Sequence, residues 1–207
     1  MTFSKKQIIE NHARLQERNK IHKQFGYDVR KSLRFVLSQV LPVKGRVLEI
    51  GTGKGRFTVE CAKKMKRLTT LDLDPGEQKY AKLNAAYEGV SPKVRFVPGD
   101  ATKLPWKRPA FDCIVSVNTL HHLHDPVGAI REMIRVTRPD GKVVLSDFSK
   151  SGLSIMAKIH KSEGRVHDHI CFRWRDLERV FRGEGWTVNR FKGYHQEGLV
   201  ATGPEGI

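Results

Sequence analysis

Three acidic side chains fall at the ends of three short apolar runs. They are Glu49 in VLEIGTGKGRF (47–57), Asp72 in RLTTLDL (67–73) and Asp100 in VRFVPGD (94–100). Glycines follow the first acid at alternate positions: Gly51, Gly53 and Gly55. Glycine permits positive φ and lets backbone approach a ligand closely. A helix opening after such a turn presents free N–H groups to an anion. The spacing departs from the G-x-G-x-x-G of dinucleotide sites, because position 56 is arginine. A carboxylate beside the turn repels pyrophosphate and suits a cation, such as the α-ammonium of an amino acid or a sulfonium. Asp72 lies where a carboxylate can accept from both ribose hydroxyls. Asp74 competes for that role, but its place ahead of Pro75 suits a helix cap. Asp100 can accept from an adenine amino group or simply shape the turn after Gly99.

An amino-acid cation, a ribose and an adenine are the three parts of S-adenosylmethionine. Transfer of its methyl group is an in-line displacement on a donor already activated by positive charge. The protein must mainly hold an acceptor about 3 Å away and collinear with the leaving sulfur. His121 and His122 in NTLHHLHDP are the catalytic candidates; the alternative is that one packs under the next helix and the other is solvated. Tyr27, with Phe25, is a candidate for a lid over the donor. His160, Arg165 and His167 are candidates for the acceptor side, or ordinary surface residues. The H-x-H-x-C run 167–171 has soft-metal ligand types, but its alternate spacing is also that of one strand face, and no metal is expected.

These residues require elements to position them. Ser4 with Gln7 forms a capping box for a first helix, and a second runs roughly from Tyr27 to Val40. Strands are expected at 46–50, 67–73, 94–100, 111–117 and 142–148. Helices are expected at 56–65, after Asp74-Pro75 and after Asp125-Pro126. That alternation predicts a parallel sheet covered on both faces. Residues 149–172 read as irregular, 175–185 as a helix, and 186–191 with 198–203 as an antiparallel pair.

The blocks VLEIGTGKG, LDLDP, VPGDATKLPW, FDCIVSVNTLHHLHDP and IREMIRVTRPDGKVVLSDF closely resemble the class I S-adenosylmethionine-dependent methyltransferases. The likeness is strongest to the ubiquinone/menaquinone-biosynthesis branch, of methyltransferase type 11, and covers about residues 45–148 closely. It implies a Rossmann-like, doubly wound α/β fold. The sheet would be seven-stranded and mostly parallel with its last strand antiparallel, helices on both faces and an N-terminal helical extension. It implies Glu49, Gly51 and Gly53 near the methionine portion, with Thr52 among the cofactor-binding residues. It further implies Asp72 at the ribose, Leu73 on adenine, Asp100 and Ala101 at the adenine edge, and Asn118 lining the floor. Asp140 in RPDGK stands where relatives usually have a second glycine. The segment between the fifth strand and the last helix is short, so the N-terminal helices must supply part of any substrate cover.

One methyltransferase domain over 1–207 is expected: a helical cap (1–44), a cofactor-binding core (45–148), a substrate-side insert (149–174) and a C-terminal helix with a strand pair (175–207). Three widely spaced cysteines and an N-terminus without an apolar leader favour the cytosol. No apolar run is long enough for a membrane span. The net charge of +16, with eleven Lys or Arg against three acids over residues 1–46, attracts anions. A small-molecule acceptor is favoured, and Arg165 with the basic N-terminal helices suits an anionic one. The products would be the methylated acceptor and S-adenosylhomocysteine. The N/D-P-P-Y/F and Pro-Cys blocks of many nucleic-acid methyltransferases are absent, so RNA or protein acceptors are the alternatives, beside a non-catalytic donor-binding regulatory module. The oligomeric state is not indicated.

Overall fold

The structure, a computed structural model, describes residues 3–164 and 172–204. Helix α1 (Lys5–Gln24) opens with the expected capping box: Gln7 N donates to Ser4 Oγ, and Ser4 N to Gln7 Oε1. Asp28 caps α2 (Val29–Val40) by accepting from Lys31 N. Strand and helix then alternate through β1 (Val47–Ile50), α3 (Arg56–Lys64), β2 (Leu68–Asp72), α4 (Pro75–Tyr87), β3 (Val94–Pro98), β4 (Phe111–Val117), α5 (Pro126–Val136) and β5 (Thr137–Phe148). Asp74 and Asp125, each followed by proline, cap α4 and α5 by accepting from Gly76 N and Gly128 N. The chain continues as α6 (Lys150–Ser162), α7 (Trp174–Gly183), β6 (Thr187–Gly193) and β7 (Gln196–Thr202).

The seven strands form one sheet in the order β3-β2-β1-β4-β5-β7-β6. Strands β1 to β5 pair in parallel, and β7 runs antiparallel to both β5 and β6. The order reverses between β1 and β4, which opens a crevice at their carboxyl ends. β1 is buried throughout, but its residues alternate between two cores. Val47 joins Val36, Cys61 and Val115 on one face; Leu48 and Ile50 join Ile114, Ile130 and Leu145 on the other. Glu49 therefore shares the face of Val47, beneath α3.

Three boundaries differ from expectation. The stretch 149–172 is not irregular throughout: α6 occupies 150–162, capped by Ser149 and anchored by Met156 and Ile159. Gly152 in its first turn and His160 near its end had masked a short apolar face. β5 begins at Thr137, which pairs with Phe111 before the register jumps to Cys113–Lys142. RPDG (138–141) thus forms a bulge within β5, and Asp140 lies in it rather than in a turn before the strand. The final hairpin turns on Tyr194 and His195, both at positive φ, rather than on a longer polar stretch. Among the described residues, no helix is long and apolar enough to cross a membrane.

Candidate active site

A crevice of about 540 Å³ lies at the carboxyl ends of β1, β2 and β4. Its glycine turn has two steric demands that exclude a side chain. A Cβ on Gly51, at φ +86°, would lie 2.0 Å from Thr119 Oγ1. One on Gly55, at φ +76°, would lie 2.8 Å from the Cα of Ala81 in α4. The turn is thereby pressed between the β4 loop and α4, and Gly53 is left to face the crevice.

Glu49 is 1% exposed. Its Oε2 accepts from Thr58 Oγ1 (2.7 Å) and Thr70 Oγ1 (2.6 Å). Thr70 is its register partner on β2. Since Thr70 donates to Glu49, it must accept from Thr52, whose hydroxyl lies 2.7 Å away and accepts in turn from Gln78 Nε2 at 3.3 Å. Burial pushes the Glu49 carboxyl up to about 7; the two hydroxyls oppose this, and nearby Asp72 adds to it.

Asp72 uses its carboxylate to hold the turns on either side. Oδ2 accepts from Gly53 N (2.7 Å) and Oδ1 from Asp74 N (2.9 Å). Leu73 beside it is 74% exposed at the crevice edge. Asp100 Oδ1 accepts from both N and Oγ1 of Thr102 at 2.8 Å, and these bonds lower its pKa. Ala101 is buried next to it. Asn118 stands at φ 53° after β4, its Oδ1 buried without a hydrogen-bond partner.

The rest of the lining comes from α1, α2, α6, the loop after β4 and the end of β5. His121 is buried, and its Nδ1 lies 2.7 Å from Asp147 Oδ1. Asp147 also accepts from the backbone N–H of His121 and of Phe148, so it acts as acceptor throughout and His121 Nδ1 carries the proton. The His122 ring lies tilted against that of His121, with centroids 4.0 Å apart, and burial followed by His121 lowers its pKa. Tyr27 is 2% exposed, packed edge-on against Phe148, with its hydroxyl 2.9 Å from both Ser32 Oγ and Gln196 Nε2. Phe25 is exposed. His160 on α6 lines the crevice, together with Arg18 and His22 of α1 and Arg56 of α3. Arg165 and His167, with the rest of the H-x-H-x-C run, lie outside the described residues. Among the described residues, no group of three or more His, Cys, Asp or Glu could hold a metal ion.

Glu49, Thr52, Asp72, Leu73, Asp100, Ala101, Asn118, His121, His122, Tyr27 and His160 thus line one crevice. Sequence reasoning did not pick out Asp147, the Thr58–Thr70 pair, His22 or Arg56 as site residues. Asp147 was findable, as another acid at the end of a parallel strand. The threonines were not, since their meeting with Glu49 depends on register and helix docking.

The strand order and the acids that line the crevice are those expected of a class I S-adenosylmethionine-dependent methyltransferase domain. Residues 48–145, just under half of the chain, match the family described as "Methyltransferase domain". Norajmaline N-methyltransferase of Rauvolfia serpentina is 35% identical over 127 residues, 60% of this chain and 44% of that protein. Demethylmenaquinone methyltransferase of Renibacterium salmoninarum is 34% identical over 121 residues, 58% of this chain and 48% of that protein. The chain therefore spans less than half the length of these curated relatives. The YcgJ protein of Bacillus subtilis shares the fold, with a TM-score of 0.65 at 23% identity over 79% of this chain and 71% of that one.

Proposed function

We propose that the chain transfers a methyl group from S-adenosylmethionine to a small-molecule acceptor. The observation that carries this reading is the convergence of Glu49, Asp72 and Asp100 on one crevice at the point where strand order reverses. The residues fit the donor. Asp72 keeps lone pairs for ribose hydroxyls after serving two backbone N–H groups. Glu49 Oε1 has no partner among the described residues and can face an α-ammonium. Exposed Leu73 offers an apolar surface to adenine, and the orphaned Asn118 Oδ1 awaits a donor hydrogen. Bound there, S-adenosylmethionine supplies an electrophilic methyl group on a sulfonium.

The chain's own residues then orient the acceptor and exclude water. Positioning of this kind contributes roughly 7–11 kcal/mol, more than a general base adds. His121 is the proposed base for acceptors that lose a proton. Asp147 holds its Nδ1–H, so an accepted proton goes to Nε2. His122 is proposed to flank the acceptor. Tyr27 and His160 belong to the acceptor wall, joined in our reading by Arg165 and His167. The proposed layout is a helical cap (1–44) and insert (149–174) closing over the core. The two relatives support a small acceptor, since each is named for methylating a small molecule.

The test is transfer of tritiated methyl to a cell extract separated into small-molecule, protein and RNA fractions. Label in the small-molecule fraction with wild type, and not with Asp72→Ala, is expected. Label confined to RNA or protein would overturn the acceptor class. Donor binding without any transfer would instead indicate a regulatory module.

A further inference from the structure

Among the charged groups that line the crevice is a buried cation without an ion-pair partner among the described residues. Arg56, the first residue of α3, lines the crevice, and its Nε and Nη2 are sealed from solvent without a hydrogen-bond partner. No carboxylate lies within ion-pair distance of it among the described residues, whereas Arg18 on the same wall is paired with Glu163 at 3.1 Å. Burial, followed by repulsion from Arg18, lowers the Arg56 pKa to about 10, still charged at neutral pH. Beside it, His22 is 5% exposed, and neither of its ring nitrogens has a partner. Burial, Arg56 and Arg18 push His22 down to about 4, so it is neutral and offers one N–H.

An enclosed guanidinium without a counter-ion is costly, and its planar fork matches a two-oxygen anion. Arg56 lines the crevice and also a second, smaller cavity. The one on the α1 side, about 60 Å³, is too small for an organic anion. The crevice is not. One positive charge without an ion-pair partner matches one negative charge, and Asp72 and Glu49, which line the same crevice, disfavour a dianionic phosphate. We propose that Arg56, backed by His22, is a carboxylate-binding subsite of the crevice. The carboxylate belongs either to the donor's amino-acid end or to the acceptor. The proposal rests on the reading that the crevice binds S-adenosylmethionine.

Calorimetry on the full chain separates the cases, using wild type, Arg56→Met and Arg56→Lys. The probes are S-adenosylhomocysteine, 5′-methylthioadenosine (which lacks the amino-acid end) and, on the S-adenosylhomocysteine-saturated protein, benzoate. If the donor supplies the carboxylate, Arg56→Met weakens S-adenosylhomocysteine roughly 10- to 100-fold and leaves methylthioadenosine unchanged. If the acceptor supplies it, S-adenosylhomocysteine is unaffected and benzoate binding is lost. In either case Arg56→Lys retains part of the affinity. Because it removes an unpaired buried charge, Arg56→Met melts at or above the wild-type temperature. Unchanged affinity for S-adenosylhomocysteine and benzoate, or unfolding of Arg56→Met, would overturn the subsite. Failure of wild type to bind either nucleoside would instead sink the donor reading itself.

Discussion

Glu49 is the residue on which charge and burial conflict most openly. With its carboxyl pushed up to about 7, it is partly protonated at neutral pH until a cation arrives. Binding of the donor's ammonium end favours the carboxylate and releases a proton. Donor affinity should therefore rise as pH increases from 6 and flatten above 7, with a buffer-dependent calorimetric heat. Glu49→Gln should remove that slope. The same shift has a stability consequence. A carboxyl raised in the folded state stabilises below its unfolded value of 4.5, and that contribution is lost as pH rises through 7. His22, lowered from 6.5 to about 4, acts oppositely: its contribution is lost as pH falls through that range. Glu49→Gln should thus differ least from wild type at pH 4 and exceed it at pH 8, by up to about 3 kcal/mol in urea unfolding. His121 and Asp147 belong to the same scale. For an acceptor that must lose a proton, His121→Ala should reduce turnover about 10²- to 10⁴-fold with donor affinity nearly unchanged. Asp147→Asn should reduce turnover as well by releasing the tautomer; equal losses in affinity and turnover would mark both as structural. The three donor-side acids were legible because each ends an apolar run. Arg56 was visible only as the residue that broke a dinucleotide fingerprint, since nothing in a linear pattern reveals a cation without a counter-ion.

At the scale of elements, local signals carried most of the fold. Ser4 with Gln7, Asp74-Pro75 and Asp125-Pro126 mark helix starts by chemistry that needs no tertiary context. Helix α6 was missed because its apolar side is only a few residues wide and depends on the sheet beneath. Gly55 shows where backbone conformation and packing coincide: at φ +76° and against Ala81, Gly55→Ala should cost about 2–4 kcal/mol in urea unfolding. Helix α1 is held differently. It buries no hydrophobic residue, and it docks on α4 through an Asn11–Asn84 hydrogen bond of 2.8 Å and a His12–Tyr87 stack at 3.4 Å. Such polar docking opens easily. Hydrogen exchange should be faster in α1 than in α3 to α5, and donor binding should slow it. Equal protection in the free protein would contradict a cap that opens.

For the whole molecule, the sheet reversal and the cap create one crevice lined by both acids and cations. That mix of charges matches a donor with a cationic amino-acid end and leaves Arg56 for an anion. The charge of +16 exceeds what the crevice carries, where Arg18, Lys54 and Arg56 stand with Glu49, Asp72, Glu77 and Asp100. Heparin should bind with steep salt dependence, yet leave donor affinity unchanged at 0.15 M salt, where the screening length is about 8 Å. The account meets its most direct test in a crystal structure of the protein with S-adenosylhomocysteine. It predicts both ribose hydroxyls on Asp72, the adenine amino group near Asp100 and the α-ammonium facing Glu49. A folded protein with that crevice empty, or with the nucleoside bound elsewhere, would contradict it.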